Sequence, residues 1–151
     1  MAQGSTMQFP TSGWVGDAPG VILAGELIGA NMNSTADQAI VMSVPATRYV
    51  VEAIVVSNAS VSLDTAAGGI YSVASKGGVT LVAAAQVYST LTAAAVNAAG
   101  SALFLTLDTP ATTGMFDLST LYFSLTTAQG AAATADIRVY VRPLYAPPGA
   151  G

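Results

Sequence analysis

Few residues of this chain are of a type that could do chemistry, and the most reactive types are absent. The 151 residues include no histidine and no cysteine, with only four basic and eight acidic side chains. Histidine and cysteine supply most general bases, nucleophiles and zinc ligands, because they change charge near neutral pH. We therefore expect no catalytic residue, no bound cofactor and no enzymatic activity.

The remaining candidates are carboxylates near the ends of predicted strands. Such groups could bind Ca²⁺, or could act as the acid and base of a polysaccharide-cleaving enzyme. The sequence contains no spaced calcium-binding motif, and aspartate is common in turns. Solvated turn residues are therefore the favoured interpretation, and no metal site is expected. The four candidates are Asp64, Asp108, Asp117 and Asp136.

Two other patterns have a chemical and a structural interpretation. Residues 75–78, Ser-Lys-Gly-Gly, combine lysine with glycines as phosphate-binding loops do. They lack the spacing of such a loop, so they predict a turn. Six tyrosines could line a sugar-binding face, although packing within a β-sheet accounts for most of them. The tyrosines are Tyr49, Tyr71, Tyr88, Tyr122, Tyr140 and Tyr145.

The composition predicts a chain that associates with other proteins. Only 8% of its residues are charged, against roughly 25% in typical domains. Because apolar area that one domain cannot bury is often hidden between subunits, we expect a homotrimer first and a homodimer next. A net charge of −4 and four scattered basic residues argue against nucleic acid as a partner.

The same sequence argues against a membrane protein. No apolar run approaches the roughly 18 residues of a membrane-spanning helix. The first residues have neither the positive region nor the apolar block of a secretory signal. These patterns favour a soluble product that stays inside the cell or is released by lysis.

Strands are the elements that must position these residues. In residues 136–142, apolar side chains alternate with polar ones, which predicts a core face and a polar face. Residues 48–57 are apolar on both faces, as expected for a central strand or one that meets another subunit. The predicted strands cover residues 21–28, 38–44, 48–57, 69–74, 79–82, 103–107, 121–126 and 136–142. The predicted core positions are Leu103, Leu105, Leu121, Phe123, Leu125, Ile137, Val139 and Val141.

Many short strands joined by turns predict an all-β fold, a single antiparallel β-sandwich with the jelly roll as its expected form. A faint similarity between residues 61–68 and 123–130 would suit two like halves of a jelly roll, although shared composition also explains it. Residues 109–114 predict a turn. A short helix or an irregular loop is expected near residues 84–91.

The pattern divides the chain into three parts. Residues 1–20 carry Pro and Gly without helical or strand periodicity, which predicts an extended N-terminal arm. Residues 21–144 are expected to form the β-sandwich domain, and residues 145–151 a flexible C-terminal tail. Phe9 and Trp14 are the candidate interaction residues of the arm, because aromatic side chains dominate interface energetics. A frayed terminus is the alternative.

Five segments between residues 31 and 144 have distinctive sequences. They are SNASVSL (57–63), AGGIY (67–71), SKGG (75–78), QVYS (86–89) and LTTAQGAAATAD (125–136). In these segments the chain resembles small virion structural proteins of tailed bacteriophages, and the resemblance covers about three-quarters of its length. It implies a capsid decoration or cement protein, or a part of the head fibres, neck or tail. Such proteins often form trimers, and the virion would be assembled in the host cytoplasm.

Two functions follow as expectations. The favoured one is an oligomer that binds the major capsid protein or other virion proteins and stabilises the shell. Several weak contacts would act together, because the first contact raises the effective concentration of the others. The alternative is a receptor- or glycan-binding module of a head fibre or tail. A decoration protein would occur in hundreds of copies and a tail module in few.

Overall fold

The structure is a computed structural model that describes residues 20–93 and 96–145. Within those residues, eight antiparallel strands form one curled sheet and helix is limited to a single short segment. Most of the predicted arm, with Phe9 and Trp14, and most of the predicted tail lie outside the described residues. The elements are β1 (Ile22–Asn31), β2 (Gln38–Met42), β3 (Arg48–Ser57), β4 (Ala67–Val73), β5 (Gly77–Val82), β6 (Ala102–Phe104), α1 (Thr109–Thr113), β7 (Thr120–Thr127) and β8 (Thr134–Leu144).

The order of the strands across the sheet is β5-β4-β7-β2-β1-β8-β3-β6. The C-terminal strand β8 therefore lies between β1 and β3, where Ile137 is paired with Leu27 on one side and with Val56 on the other. Most neighbouring strands are distant in the sequence, so the sheet is held together by long-range pairing.

The alternation of side chains places the core where the sequence predicted it. Six of the predicted core residues in β7 and β8 are fully buried, and Leu105 is buried as well. Leu103 is only partly buried, and it packs against this core. The six are Leu121, Phe123, Leu125, Ile137, Val139 and Val141.

Two glycines allow β4 to lie very close to its neighbours. A Cβ atom on Gly68 would collide with the backbone of Leu125 in β7, and one on Gly69 would collide with the carbonyl oxygen of Val82 in β5. Since a backbone atom cannot move aside as the end of a side chain can, these positions require glycine for the observed packing.

The segment after β6 joins the two ends of the curled sheet. The amide of Leu105 donates to the carbonyl of Ile54 in β3 at 2.9 Å, and the amide of Asp108 donates to the carbonyl of Leu81 in β5 at 2.8 Å. Helix α1 follows at once and packs against both β3 and β5. The chain therefore crosses from one end of the strand order to the other within four residues.

Several local predictions need correction. The predicted turn at residues 109–114 contains α1, because the Asp108 carboxylate caps the helix and Pro110 lies in its first turn. The predicted strand at 103–107 is β6, which ends at Phe104 because the chain then crosses to β5. Residues 61–66 are irregular, whereas 123–127 belong to β7, so the similarity between 61–68 and 123–130 does not produce two like hairpins.

Other boundaries are closer to expectation. β3 has the predicted limits, and the remaining strands differ at one or both ends. Residues 84–91 form turns around an isolated β-bridge at Val87. Of the two structures expected there, a short helix or an irregular loop, the loop is the one observed. Over residues 20–93 and 96–145, no helix has the length and apolar character needed to cross a bilayer.

Candidate interaction surface

One face of the sheet carries a continuous row of side chains across five strands. The pairing register joins these residues directly, and they point away from the core because each alternates with buried neighbours. The two ends of the row are the most exposed, with Val41 at 68% and Phe104 at 69%. In order, the row is Val41 of β2, Glu26 of β1, Arg138 of β8, Val55 of β3 and Phe104 of β6.

A second row lies beside the first. Leu23 of β1, which is 44% exposed, pairs with Tyr140 of β8, and Tyr140 pairs with Ala53 of β3. We call the two rows, with Glu52 and Arg142 beyond them, the outer face. A sheet of paired strands holds its side chains in fixed positions, so the outer face is a preformed surface on which apolar groups are presented to solvent.

The charged residues of the outer face form two ion pairs. Arg138 Nε lies 2.9 Å from Glu26 Oε2, and Arg142 Nε lies 2.9 Å from Glu52 Oε2. The hydrogen bond to Glu52 raises the pKa of the Arg142 guanidinium above its usual range. Both pairs are partly exposed, so solvent screening keeps their contribution to stability small. Their formal charges cancel.

A buried carboxylate lies at one end of this face. Asp136 is 7% exposed. Its Oδ1 accepts from the Gly29 amide at 2.8 Å, and its Oδ2 accepts from Asn58 Nδ2 at 3.0 Å. Gly29 and Asn58 both have left-handed backbones, with φ of 69° and 56°. Asp136 therefore ties a bend in β1 to the end of β3, and the interpretation of this residue as a solvated turn aspartate was wrong.

A polar cleft opens beside Asp136. Its volume is about 330 Å³. The Arg138 guanidinium donates from Nη1 to Ser57 Oγ at 3.3 Å and lies 4.0 Å from Asp136 Oδ2. Carboxylate, amide, hydroxyl and guanidinium groups thus converge in one place, as in sites that orient a polar ligand. The lining residues are Ser57, Asn58, Val96, Ser101, Asp136 and Arg138.

The other predicted aspartates are not brought together. Asp64 and Asp117 are exposed, in agreement with their interpretation as solvated turn residues, and Asp108 caps α1. Among the described residues, no three acidic side chains form a group that could hold a metal ion.

The predicted turn at residues 75–78 is found between β4 and β5 but lies at residues 74–76, and Gly77 and Gly78 already belong to β5. Ser75 and Lys76 have φ of 60° and 59°, and Lys76 Nζ donates to Ser124 Oγ at 2.8 Å. The Ser75 amide donates to Asp37 Oδ2, and this bond, helped by Ser124 and Lys76, lowers the pKa of Asp37. A serine beside a lysine can form a nucleophile pair in hydrolases. Ser124 is fully buried, so no substrate can reach it, and the cluster fastens the turn instead.

The tyrosines do not assemble into one sugar-binding face. Tyr49, Tyr71 and Tyr88 are buried. The hydroxyl of Tyr49 donates to the carbonyl of Leu118 at 2.8 Å, and that of Tyr88 donates to the carbonyl of Gly68 at 3.1 Å. Burial, with a smaller contribution from the charge of Asp117, raises the pKa of Tyr49 to about 12. Burial also raises the pKa of Tyr88 and of Tyr71.

Sequence reasoning found the part of the outer face that lies on residues 48–57, which were expected to be apolar on both faces, and missed the rest. The signal was present in the alternation of exposed Val41 with buried Ile40 and Met42, and of exposed Phe104 with Leu103 and Leu105. In residues 136–142 the face opposite the core was expected to be polar, and the apolar members on β1, β2 and β6 became visible only when the strand register joined them. Phe9 and Trp14, the predicted interaction residues, lie outside the described residues.

Comparisons with protein-family models, with curated proteins and with solved structures found no match to the chain.

Proposed function

We propose that the chain is a virion structural protein of a tailed bacteriophage that binds the capsid surface and stabilises it as an oligomeric decoration protein. In this proposal it is not an enzyme, it uses no cofactor or metal, and its partners are other copies of itself and the major capsid protein or other virion proteins. Nucleic acid and membranes are not partners. The virion is its location, after assembly in the host cytoplasm.

The single observation that carries the proposal is the outer face. Apolar side chains at Val41, Leu23 and Phe104 are held on paired strands and exposed to solvent, in a chain that has few charges elsewhere. The face thus combines exposed apolar groups with charged ones, since the Glu26–Arg138 pair lies between Val41 and Phe104, and surfaces that bind other proteins have this mixed composition.

The finer architecture proposed for the fold is a jelly roll with two packed layers. Its support is the strand order, in which β5-β4-β7-β2 would form one layer and β1-β8-β3-β6 the other. Side chains from both sets, such as Phe123 of β7 and Val139 of β8, belong to one buried cluster. Eight strands in two Greek keys define the jelly roll, which is used by viral capsid proteins and by lectins.

The proposed mechanism is clamping by several contacts at once. Each subunit of an oligomer would bind a different capsid subunit, so that separating two capsid subunits requires several bonds to break together. The arm at residues 1–20 would contribute Phe9 and Trp14 as apolar anchors, and their burial would offset the entropy lost when the arm is ordered.

The test is the copy number of the chain in purified virions, measured by quantitative mass spectrometry against the major capsid protein. Hundreds of copies per particle are expected. Absence from the virion would overturn the proposal. Removal of residues 1–20 should leave the sheet folded, since no predicted core position lies there, and should weaken rebinding to capsids that lack the protein.

A second candidate is a glycan- or receptor-binding module of a head fibre or tail. The cleft beside Asp136 favours it, because carboxylate, amide and guanidinium groups can hydrogen-bond the hydroxyls of a sugar. A few copies per virion would support this candidate over a decoration protein. Binding of host surface polysaccharide that is lost in Asn58→Ala, with Asp64→Ala as the control, would support it directly.

A further inference from the structure

We infer that the outer half of the β4–β5 hairpin, residues 72–79, is a strap that opens from the sheet while the rest of the fold stays intact. Asp37, which lies just before β2, is its catch. Opening breaks the contact of Lys76 in the turn with the buried Ser124 of β7. The strap belongs to the fold itself, so it would open whether or not the chain is part of a virion.

The pairing of the strands sets the limits of the strap. β4 is paired with β7 from Ala67 to Tyr71, where Tyr71 lies opposite Tyr122. Beyond Tyr71, β4 is paired among the described residues with β5 alone, and β5 is the last strand in the order of the sheet. Residues 72–79 are therefore a ribbon of two strands, which is only marginally stable by itself.

The turn at the tip of the strap has a conformation that its residues disfavour. Ser75 and Lys76 have φ of 60° and 59°, so two successive residues with side chains lie in the left-handed region. Turns of this kind favour asparagine and glycine, because a Cβ atom is crowded there. Such a backbone persists only where the surrounding structure holds it, so the turn depends on contacts with other parts of the chain.

Two hydrogen bonds hold the turn against the sheet. The Ser75 amide donates to Asp37 Oδ2 at 2.6 Å, and Lys76 Nζ donates to Ser124 Oγ at 2.8 Å. The first bond lowers the pKa of Asp37 below its ordinary value of 3.8, so the acceptor is ionised at neutral pH and the bond is strengthened by its charge. Asp37 is exposed, so water can take the place of the Ser75 amide without disturbing the core.

Little apolar area keeps the strap closed. Its two valines, Val73 and Val79, are both exposed. At its base, the buried hydroxyl of Tyr71 finds no hydrogen-bond partner within the described residues. Opening at this point would let water reach that hydroxyl, whereas closure leaves it unsatisfied. Segments with few buried apolar contacts open locally at a lower free energy than the whole fold.

The experiment uses the only lysine of the chain, Lys76, which lies in the turn of the strap. Endoproteinase Lys-C can therefore cut the protein only there. The rate of this cut is measured for the full chain, Asp37→Ala and Asp64→Ala at several urea concentrations below the unfolding transition. Asp64→Ala is the matched control, because Asp64 is exposed and the same charge is removed outside the strap. Circular dichroism and thermal melting establish that each variant is folded.

The full chain should be cut at a rate that depends weakly on urea, because local opening exposes little surface. Asp37→Ala should be cut about 10-fold faster, as expected when a hydrogen bond to a charged acceptor is lost. Asp64→Ala should be cut at the rate of the full chain. A full chain that is not cut, or is cut only with the steep urea dependence of global unfolding, would overturn the inference. So would an Asp37→Ala protein that is cut no faster than Asp64→Ala.

Discussion

The ring of Tyr88 meets the ring of Phe123 edge-on, with the ring centroids 6.2 Å apart and the ring planes at 80°. Phe123 belongs to β7, whereas Tyr88 comes from the irregular segment after β5. The hydroxyl of Tyr88 also donates to the carbonyl of Gly68 in β4. One side chain of an irregular segment therefore supplies part of the core, which fixes that segment against the sheet.

Replacement of Phe123 by alanine removes the partner of Tyr88 and leaves a cavity in the core. We expect the free energy of unfolding to fall by about 3–5 kcal/mol, the usual cost for a buried phenylalanine. Urea denaturation measures this change in the free energy of unfolding. Val87→Ala, at a side chain that is 55% exposed, is the control and should stay within about 0.5 kcal/mol of the unmodified chain. Equal effects of the two changes would contradict the assigned packing.

Replacement of Gly69 by alanine tests the close approach of β4 to β5. The added Cβ atom would collide with the carbonyl oxygen of Val82, so the strands must separate. We expect a loss of about 1–3 kcal/mol, as for other overpacked sites. Gly20→Ala has open space around the new atom and should leave the midpoint of urea denaturation unchanged. A Gly69→Ala protein as stable as the Gly20→Ala protein would show that β4 is not held so closely.

Replacement of Asp136 by alanine removes the acceptor of two hydrogen bonds. The Gly29 amide and the Asn58 side chain would each lose a charged acceptor. We expect a loss of about 1–3 kcal/mol. The exposed Asp64, changed in the same way, is the control and should alter stability by no more than about 0.5 kcal/mol. An unchanged free energy of unfolding in Asp136→Ala would mean that water replaces both hydrogen bonds.

Stability should fall at alkaline pH because buried tyrosines must lose a proton there. The pKa of Tyr49 is about 12 in the folded protein, above its ordinary value of 10.0. Its neutral form therefore stabilises the fold fully below pH 10.0, and this contribution is lost as the pH rises towards 12. Urea denaturation across this range measures the loss, and phenolate absorbance follows the titration. The loss should be smaller in Tyr49→Phe, and an equal loss would assign the pH dependence to other groups.

The sequence predicted the strands well where one face is apolar over several residues. β3 has the predicted limits, and the apolar residues of β7 and β8 are buried as the alternation required. The length of a strand depends on its neighbour as well as on its own residues. The predicted strand at 103–107 is cut short after Phe104 because the chain leaves β3 for β5, and no local pattern encodes that crossing.

The site was harder to predict because its members are far apart in the chain. Asp136 looked like a polar residue at a strand end, and its partners Gly29 and Asn58 are 107 and 78 positions away. The row from Val41 to Phe104 depends on the register of four strand pairs. The helix α1 had a local signal, an aspartate two residues before a proline, which was interpreted as a turn.

The position of β8 has a consequence for the time at which the protein folds. The paired residues Glu26 and Arg138 are separated by 112 positions in the sequence. Strand β3 also pairs with β8, so it lacks this neighbour until β8 has been synthesised. A ribosome thus delivers seven strands before the one that joins β1 to β3. Pairing of such distant segments is slow, because the entropy of closing a long loop must be overcome first. The outer face, which needs Arg138 and Tyr140, therefore cannot form until synthesis has passed β8, and an unfinished chain has no such face with which to join an assembly.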